Sequence, residues 1–357
     1  MLPDENVVHL NCDLPSSARA LEDPELFLDS QRPDAVLVFD EVHRLADPSR
    51  LLKIAADEYP RIKVLATGSS TLAATGKFRD SLTGRKEEVH LCPVLWEECS
   101  GPFGVASLDR RLLHGGLPEP LLTDRKDPEF FSEWIDSFYA RDILELFAIR
   151  NRQGFLSLFR LLLRQSGGQL DYGKLASLSE LSRPSVKAHI EAMQIAHAVH
   201  LVHPFHGGGR REIVSRPKCY AFDTGFVTLE KGWDSIRDDD RGLLWEHLVL
   251  DALRFRHRDQ DIFYWLDKSR REVDFVVRRG HDRVDLLECR IDPDRLNVAA
   301  VQAFRGLYPL GDNYIVSPAA KRSYRVRRGD WVFKVCTTGE LPASTGGPST
   351  VGRASPV

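Results

Sequence analysis

The sequence predicts an α/β fold, and three observations lead to this prediction. Two aliphatic runs, at residues 34–39 and 62–66, have the continuous apolar character of strands that are buried on both faces. A helical pattern at 49–58 lies between them, and strand, helix, strand at this spacing makes a βαβ unit with parallel strands. Helical patterns follow in the middle of the chain, and strand signals return at 261–266.

Composition narrows the class of protein. The chain has 357 residues, 42% hydrophobic and 28% charged, with a formal net charge of −3, so it is globular and has no overall attraction to nucleic acid. Its six cysteines form no C-x-x-C pair, which argues against a zinc site and fits a reducing cytosol. No signal peptide opens the sequence, and no apolar run approaches the roughly 20 residues that span a bilayer. We therefore expect a cytoplasmic protein with no membrane partner.

The length predicts two or three domains, and the patterns divide the chain into four segments. They are a partial parallel-sheet core, a helical and winged-helix-like segment, a small α/β domain, and a C-terminal extension with a disordered end; they span residues 1–125, 126–218, 219–330 and 331–357. A further strand is expected at 6–11. The end of the chain is rich in Ser, Thr, Gly and Pro, which is typical of disorder.

An acidic pair, Asp40-Glu41, directly follows the first aliphatic run. Phosphoryl transfer needs one carboxylate at a strand end to hold Mg²⁺ and a second to orient the attacking water. The next run ends in the hydroxyl cluster at 67–70, and the carboxyl ends of parallel strands share one edge of a sheet. The alternative is a solvated loop that caps the following helix. The two strand ends together favour a nucleotide site.

The glycine-rich loop that cradles phosphates in such sites is missing from the sequence. No G-x-x-x-x-G-K-[ST] motif occurs, because the pairs Gly76-Lys77 and Gly173-Lys174 lack the upstream glycine and follow no buried strand. No residues for binding the phosphates of a cofactor are therefore identifiable. We expect a core that is truncated or degenerate and that does not hydrolyse ATP alone.

Several short motifs occur in an order that carries a family resemblance. They are Val38-Phe39-Asp40-Glu41-Val42-His43-Arg44, Leu65-Ala66-Thr67-Gly68-Ser69-Ser70, Leu82-Thr83-Gly84-Arg85, Gly115-Gly116-Leu117-Pro118-Glu119 and Tyr139-Ala140-Arg141-Asp142-Ile143. With them, the chain resembles a widespread prokaryotic family of AAA-type ATPases. In that family the P-loop-type core precedes a winged-helix-like segment and a C-terminal domain of unknown function.

The resemblance implies roles for individual residues. Asp40 and Glu41 match the Walker B pair, Asp40 as the metal ligand, and Ser69 matches a sensor-like position. Arg85 matches the arginine of a Gly-Arg motif that acts on the nucleotide of a neighbouring subunit, which implies a homo-oligomer or a partner subunit. The implied cofactors are ATP and Mg²⁺. For Arg85 the alternative is a surface salt bridge.

A helix-turn-helix pattern at 171–195 suggests DNA as a partner. Its second helix would present Arg183, Ser185, Lys187 and His189 to a groove, and the segment 198–214 has the pattern of a β-hairpin wing. Further basic residues on or near the wing would add positive charge; they are Lys174, Arg210, Arg211, Arg216 and Lys218. The alternative is a small helical packing module without a ligand.

A second acidic constellation lies near the C-terminus. Glu246 falls in a helical segment, Asp274 on a strand, and Glu288-Cys289-Arg290 on the next strand. This is the metal-binding arrangement of restriction-endonuclease-like folds, in which alternation along the strand brings Glu288 and residue 290 beside Asp274. The departure is Arg290, which stands where that pattern has lysine and which is a poor proton shuttle. The alternative is a set of ion pairs without a metal.

The function predicted from the sequence is that of a truncated or degenerate AAA-type ATP-binding protein. Two other functions stay open. One is a metal-dependent nuclease-like enzyme that uses Glu246, Asp274 and Glu288. The other is a DNA-binding regulator that acts through its winged helix.

Overall fold

A small parallel sheet forms the N-terminal part of the computed structural model. The structure describes residues 6–68, 82, 84–87, 89, 91–147, 149, 151–207, 216–257, 259–280 and 282–342, without the side chains of 141, 142, 145 and 146. Strands β1 (Val7–Asn11), β2 (Val36–Asp40) and β3 (Lys63–Ala66) pair in parallel in the order β1-β2-β3. The predicted α/β class, these strands and their parallel pairing are confirmed.

Helices cover this sheet and fix the positions of its strand ends. Helices α1 (Pro15–Ala20) and α2 (Pro24–Asp29) connect β1 to β2, and α3 (Pro48–Glu58) connects β2 to β3. Helix α3 begins where the Asp47 carboxylate accepts a hydrogen bond from the amide of Arg50 at 3.0 Å, a standard N-cap. The alternate side chains of β2 are buried with those of α3 in one apolar cluster. The acidic pair therefore follows a strand that is anchored by its own core.

The middle of the chain is helical. Its helices are α4 (Trp96–Cys99), α5 (Leu108–His114), α6 (Pro118–Leu122), α7 (Pro128–Phe138), α8 (Leu144–Phe147), α9 (Arg152–Arg164), α10 (Tyr172–Leu178) and α11 (Arg183–Ile195). A π-helical turn, Tyr139–Ile143, joins α7 to α8. Helices α10 and α11 are the predicted helix-turn-helix.

The described residues from 168 to 336 contribute nine strands to one mixed sheet. Its strands are β4 (Gly168–Gln169), β5 (Val199–Pro204), β6 (Lys218–Ala221), β7 (Ile262–Leu266), β8 (Glu272–Arg278), β9 (Val284–Cys289), β10 (Asn313–Val316), β11 (Tyr324–Arg328) and β12 (Trp331–Cys336). Their order is β11-β12-β10-β9-β8-β7-β5-β6-β4. Helices α12 (Thr224–Glu230), α13 (Asp238–Arg256) and α14 (Val298–Leu307) complete this part. The extension expected from residue 331 thus begins with a strand that lies inside the sheet.

Strands β5 and β6 flank most of the segment that the sequence predicts as a wing. Strand β5 pairs antiparallel with β6, while residues 208–214 of the expected wing lie outside the described part. In the ranges that the structure describes, no helix combines the length and apolar character needed to cross a bilayer. Short 3-10 turns occur at Val42–Arg44, Asp259–Asp261 and Thr338–Glu340.

Candidate functional sites

The acidic pair and the hydroxyl cluster meet at the carboxyl edge of the N-terminal sheet. The Thr67 hydroxyl donates a hydrogen bond of 2.5 Å to the Asp40 carboxylate. The same oxygen accepts the backbone N–H of Glu41 at 3.3 Å. The parallel register pairs β2 with β3 up to their last residues, so the next residues of each strand are adjacent. The expectation that these strand ends share one edge is confirmed.

The backbone at Glu41 is strained. Its φ of 54° and ψ of 41° lie in the left-handed region, which costs a non-glycine residue about 1–2 kcal/mol. Strand β2 stops there, and the Val42 amide turns to donate to the Thr67 carbonyl at 2.9 Å. Such strain persists where surrounding contacts over-determine it, often at functional sites. The turn sets the Glu41 carboxylate 3.1 Å from Nδ1 of His43.

Polar residues also follow β1 at this edge. Asn11 lies opposite Asp40 in the register of the sheet, and Asp13 forms an ion pair of 3.0 Å with Arg44. Burial, with a smaller effect from the Asp40 carboxylate, raises the pKa of the Cys12 thiol to about 11, so this cysteine stays protonated. The edge therefore offers carboxylates and a hydroxyl, but no reactive thiolate.

Ser69 and Arg85 are the two other residues that the sequence predicts for this site. Ser69 lies outside the described residues. Arg85 forms a 2.5 Å ion pair with Asp57 near the end of α3, the salt bridge that was the alternative to a catalytic role. The hydrogen bond from Arg85 lowers the pKa of the Asp57 carboxyl. Among the residues that the structure describes, Arg85 contacts Asp57 and no residue of the carboxyl edge.

In the C-terminal sheet, one arginine joins two of the predicted metal ligands. The antiparallel register pairs Phe275 with Leu287, which sets Asp274 and Glu288 at neighbouring positions. Arg290 donates from Nη1 to Asp274 at 2.7 Å and from Nη2 to Glu288. Asp274 also accepts the backbone N–H of Cys289 at 2.7 Å. The expectation that residue 290 lies beside both carboxylates is confirmed, and a guanidinium joins them.

The third predicted ligand pairs with a different cation. Glu246, on α13, accepts a hydrogen bond of 3.1 Å from the Tyr220 hydroxyl and lies 3.9 Å from Nζ of Lys218. Lys218 also forms a close ion pair with Glu272, the first residue of β8. The sequence placed Lys218 on a basic surface near the wing, and this was wrong: its side chain is only 5% exposed. The strand that carries it is buried, and its amine lies beside two partly buried carboxylates.

Burial sets the protonation of this cluster. Desolvation, reinforced by the charge of Asp274, raises the pKa of Glu246 to about 7 and that of Glu288 well above its usual range. The ammonium of Lys218 is also desolvated, but the carboxylates outweigh that effect and raise its pKa. Four carboxylates therefore share two fixed cations, and the two acids with raised pKa values are the ones that release their protons last.

The cluster opens to solvent on one side. Glu246 and Arg290 line a cleft of about 570 Å³, whose rim includes Arg241, Asp292 and Arg295. One oxygen of Glu288, Oε1, is buried and has no hydrogen-bond partner among the residues that the structure describes. Among the described residues, no group of three or more His, Cys, Asp or Glu side chains is placed to hold a metal ion. In this arrangement, Arg290 and Lys218 lie beside the carboxylates that the sequence predicts as metal ligands.

The helix-turn-helix residues lie at the start of α11. Arg183 and Lys187 are exposed, whereas Ser185 is half-buried and bonds to the hydroxyl of Ser182 at 2.8 Å. Among the added basic residues, Arg216 is exposed and pairs with Asp171 at 2.9 Å. Arg210 and Arg211 lie outside the described residues.

The structure also identifies residues that sequence reasoning missed. Thr67 was part of the hydroxyl cluster, but its direct bond to Asp40 had no specific signal. Tyr220 and Glu272 were not singled out, because their contacts with Glu246 and Lys218 depend on pairing between distant strands. His43 had only one signal, its place two residues after Glu41.

Comparison with known families divides the chain into three matched segments. Residues 1–100 match the family described as AAA domain. Residues 105–236 and 241–338 match two families described as Domain of unknown function, DUF8612 and DUF4143. Each match covers less than half of the chain.

Two curated proteins are similar to most of this chain. The uncharacterized protein Rv2008c of Mycobacterium tuberculosis is 28% identical over 273 residues, which cover 74% of this chain and 60% of the relative. The uncharacterized protein MJ1544 of Methanocaldococcus jannaschii is 23% identical over 265 residues, 68% of this chain and 58% of the relative. The chain thus spans about three fifths of the length of these curated relatives.

Among solved structures, the chain was matched to a half-complex from a tetradecameric assembly of Thermococcus gammatolerans McrB AAA+ hexamers with bound McrC. The identity is 11%, the coverage 79% of this chain and 78% of that one, and the TM-score 0.25, too low to indicate a shared fold. The family matches are therefore the informative comparison. The chain carries an AAA-like N-terminal segment, followed by two segments that are similar to domains of unknown function.

Proposed function

We propose that this chain carries the acidic half of an AAA-type nucleotide site and does not hydrolyse ATP alone. The single observation that supports this is the bonding of Thr67 to both members of the acidic pair, at the carboxyl edge of a parallel sheet. Ligands of open parallel sheets bind at this edge. The strained backbone of Glu41 at the same point adds support, because strain of this kind accumulates at functional sites.

The residues present fit the acidic part of such a site. Mg²⁺ commonly uses one or two protein carboxylates, with phosphate oxygens and water completing its shell, and would neutralise developing charge when bound. Asp40, held by the Thr67 hydroxyl, would be the Walker B ligand. Glu41 would orient a water molecule, and Ser69 would take the sensor position that the family resemblance implies.

The phosphate half of the site is not encoded in the 357 residues. The sequence has no loop whose amides and lysine would cradle the β- and γ-phosphates. We therefore propose that hydrolysis requires a phosphate-binding segment from a different partner subunit. Arg85, once released from Asp57, would act across such an interface. The free cysteines fit a cytoplasmic location.

A titration with a fluorescent ATP analogue, with Mg²⁺ and with EDTA, tests the half-site. We expect weak binding, with a dissociation constant of about 1 mM, that depends on Mg²⁺ because Asp40 acts through the metal. Asp40→Asn should abolish the Mg²⁺-dependent part. The matched control Asp29→Asn, at an exposed carboxylate at the end of α2, should retain it.

Two outcomes would overturn this proposal. Mg²⁺-dependent binding that survives Asp40→Asn would show that Asp40 is not part of the site. Phosphate release by the purified parent chain, lost in Glu41→Gln, would show that the chain hydrolyses ATP without a partner.

We also propose that the C-terminal domain is nuclease-like in its arrangement but does not cleave nucleic acid with a metal. Arg290 joins Asp274 to Glu288, and Lys218 lies beside Glu246, so two fixed cations neutralise the predicted ligands. Nicking of supercoiled plasmid with Mg²⁺ or Mn²⁺ checks this. Nicking by the parent that disappears in Asp274→Ala would contradict the proposal.

A second candidate function is DNA binding through a winged-helix arrangement. We propose that helices α10 and α11 form it together with the antiparallel strands β4, β6 and β5. Arg183 and Lys187 are exposed at the start of α11, where a recognition helix contacts DNA. A gel shift with duplex DNA, weakened in the Arg183→Ala/Lys187→Ala variant, tests this contact.

A further inference from the structure

A compact group of basic side chains surrounds the turn that begins α10. We call it the Asp171 cluster, and its members are Asp171, Tyr172, Lys174, Arg183, Lys187 and Arg216. A Cβ placed on Gly173 would lie 2.9 Å from Nη2 of Arg183, so the guanidinium rests on this turn. Nζ of Lys187 lies 5.8 Å from the centre of the Tyr172 ring. Residues from α10, α11 and the segment before β6 thus converge on one surface.

Asp171 is the acidic centre of this cluster, and its two oxygens have separate roles. Oδ1 accepts the amides of Gly173 and Lys174, both at 3.0 Å, which caps α10. Oδ2 accepts a hydrogen bond from Arg216 at 2.9 Å. The backbone bond from Lys174 lowers the pKa of Asp171, and Arg216 adds to this effect. One carboxylate oxygen therefore stabilises the helix, and the other pairs with the guanidinium of Arg216.

The remaining cations of the cluster lack acidic partners. Lys174, Arg183 and Lys187 are exposed, and the described side chains include no ion-pair partner for any of them. Elsewhere on the same part of the chain, exposed arginines such as Arg237 and Arg283 pair with nearby aspartates. Unpaired cations that converge on one surface repel each other, and a polyanion would relieve that repulsion.

The bonding of these residues favours phosphate contacts over base reading. A base-reading helix needs polar side chains that are free to reach into the groove. Ser185 is instead bonded to Ser182. The Arg183 guanidinium lies close to Gly173 and the Lys187 amine lies over the Tyr172 ring, both at the start of α10. Cations that converge on a turn match the backbone contacts that position a protein on DNA without reading its sequence.

We propose that the Asp171 cluster binds the phosphate backbone of duplex DNA independently of sequence, and that Asp171 weakens this binding by pairing with Arg216. The inference rests on the proposed DNA-binding function and deepens it by adding Lys174 and Arg216 as contacts. It also assigns Asp171 as an internal competitor of the phosphate. Its removal should therefore strengthen binding.

Fluorescence anisotropy with a labelled duplex of about 20 base pairs tests this at several salt concentrations. Three phosphate contacts, from the cations that Asp171 does not occupy, predict a slope of log K against log salt of about −2.7, and binding about 40-fold weaker at 200 mM than at 50 mM salt. Replacing Lys174 or Lys187 by Ala should weaken binding about eight-fold at 0.1 M salt and reduce the slope by about 1. Asp171→Asn keeps an N-cap and should tighten binding by up to about eight-fold.

The pair Arg283 and Asp312 supplies matched controls, because it is an exposed ion pair of 2.8 Å outside the cluster. Arg283→Ala and Asp312→Asn should leave DNA binding unchanged. Two duplexes of unrelated sequence should bind equally well, and a poly-glutamate peptide should bind more weakly than the duplex at the same salt.

The outcomes separate the inference from the function on which it rests. If the parent does not bind duplex DNA at low salt, the proposed DNA-binding function is wrong. If the parent binds but Lys174→Ala and Asp171→Asn change nothing, the Asp171 cluster is not the contact, although DNA binding stands. Preference for one sequence or for poly-glutamate would overturn the sequence-independent phosphate contact.

Discussion

Replacing Glu246 by Gln should change how the stability of the C-terminal sheet depends on pH. The Glu246 side chain is 18% exposed, and burial raises its pKa from 4.5 to about 7. Because the folded state holds this proton more tightly than the unfolded state, the parent loses stability as pH rises from about 4.5 through about 7. Gln resembles the protonated acid, and its amide oxygen still accepts the Tyr220 hydroxyl. The variant should therefore lack this loss.

The size of the effect follows from the two pKa values. The span from 4.5 to about 7 corresponds to about 3 kcal/mol at 1.36 kcal/mol per pH unit, and most of this loss falls between pH 5 and pH 8. Buried His247 and His257 act in the opposite direction, since burial lowers their pKa values to about 4 and they lose stability as pH falls. The difference between variant and parent removes this shared contribution.

Urea denaturation followed by tryptophan fluorescence measures this difference. All six tryptophans lie in the compact unit that contains the C-terminal sheet, and Trp245 and Trp265 are buried in it. At about pH 5 the two proteins should differ by less than 1 kcal/mol, and at about pH 8 Glu246→Gln should be more stable by about 3 kcal/mol. The exposed control Glu129→Gln should show no such trend. A constant difference across this range would refute a protonated Glu246.

Three further predictions concern single contacts. Arg290→Ala should lower the free energy of unfolding by about 3–5 kcal/mol, because it leaves buried carboxylates unpaired; a loss below about 1 kcal/mol in the same urea assay would contradict this role. Gly115→Ala should lower the free energy of unfolding by about 3 kcal/mol or more, because the φ of Gly115 is +83° and the new Cβ would lie 1.9 Å from Asp223 Oδ1. Gly232 has a φ of +65° but lies in open space, so Gly232→Ala should cost only about 1–2 kcal/mol. Thr67→Val should cost about 1 kcal/mol through its lost hydrogen bond, measured as faster amide exchange in β2 and β3, and unchanged exchange would refute the bond.

Sequence reasoning located the N-terminal strands because their apolar runs are local signals. The run at 34–39 became β2, and its carboxyl end met Thr67 as the parallel pairing required. The left-handed turn at Glu41 had no such signal, because it depends on the bond between the Val42 amide and the Thr67 carbonyl. Arg85 could not be assigned from its motif, since its partner Asp57 is 28 residues away.

In the C-terminal sheet, alternation along one strand was predictable and pairing between strands was not. The positions of Glu288 and Arg290 follow from the two-residue period of a strand. As expected, Arg290 contacts both Glu288 and Asp274. Lys218 looked like a surface residue, because basic residues precede it in the sequence. Its burial depends on how β6 lies relative to β7 and β8, which a local pattern does not encode.

The two acidic sites differ in the property that decides whether a carboxylate can take an external cation. At the carboxyl edge of the N-terminal sheet, Asp40 is bonded to a hydroxyl, and none of the described residues forms an ion pair with it. In the C-terminal cluster, Arg290 and Lys218 supply fixed charges, and burial favours the protonated forms of Glu246 and Glu288. A divalent ion there would have to displace cations and protons together, each at a cost that Asp40 does not impose. Metal-dependent chemistry in this chain is therefore best sought at Asp40.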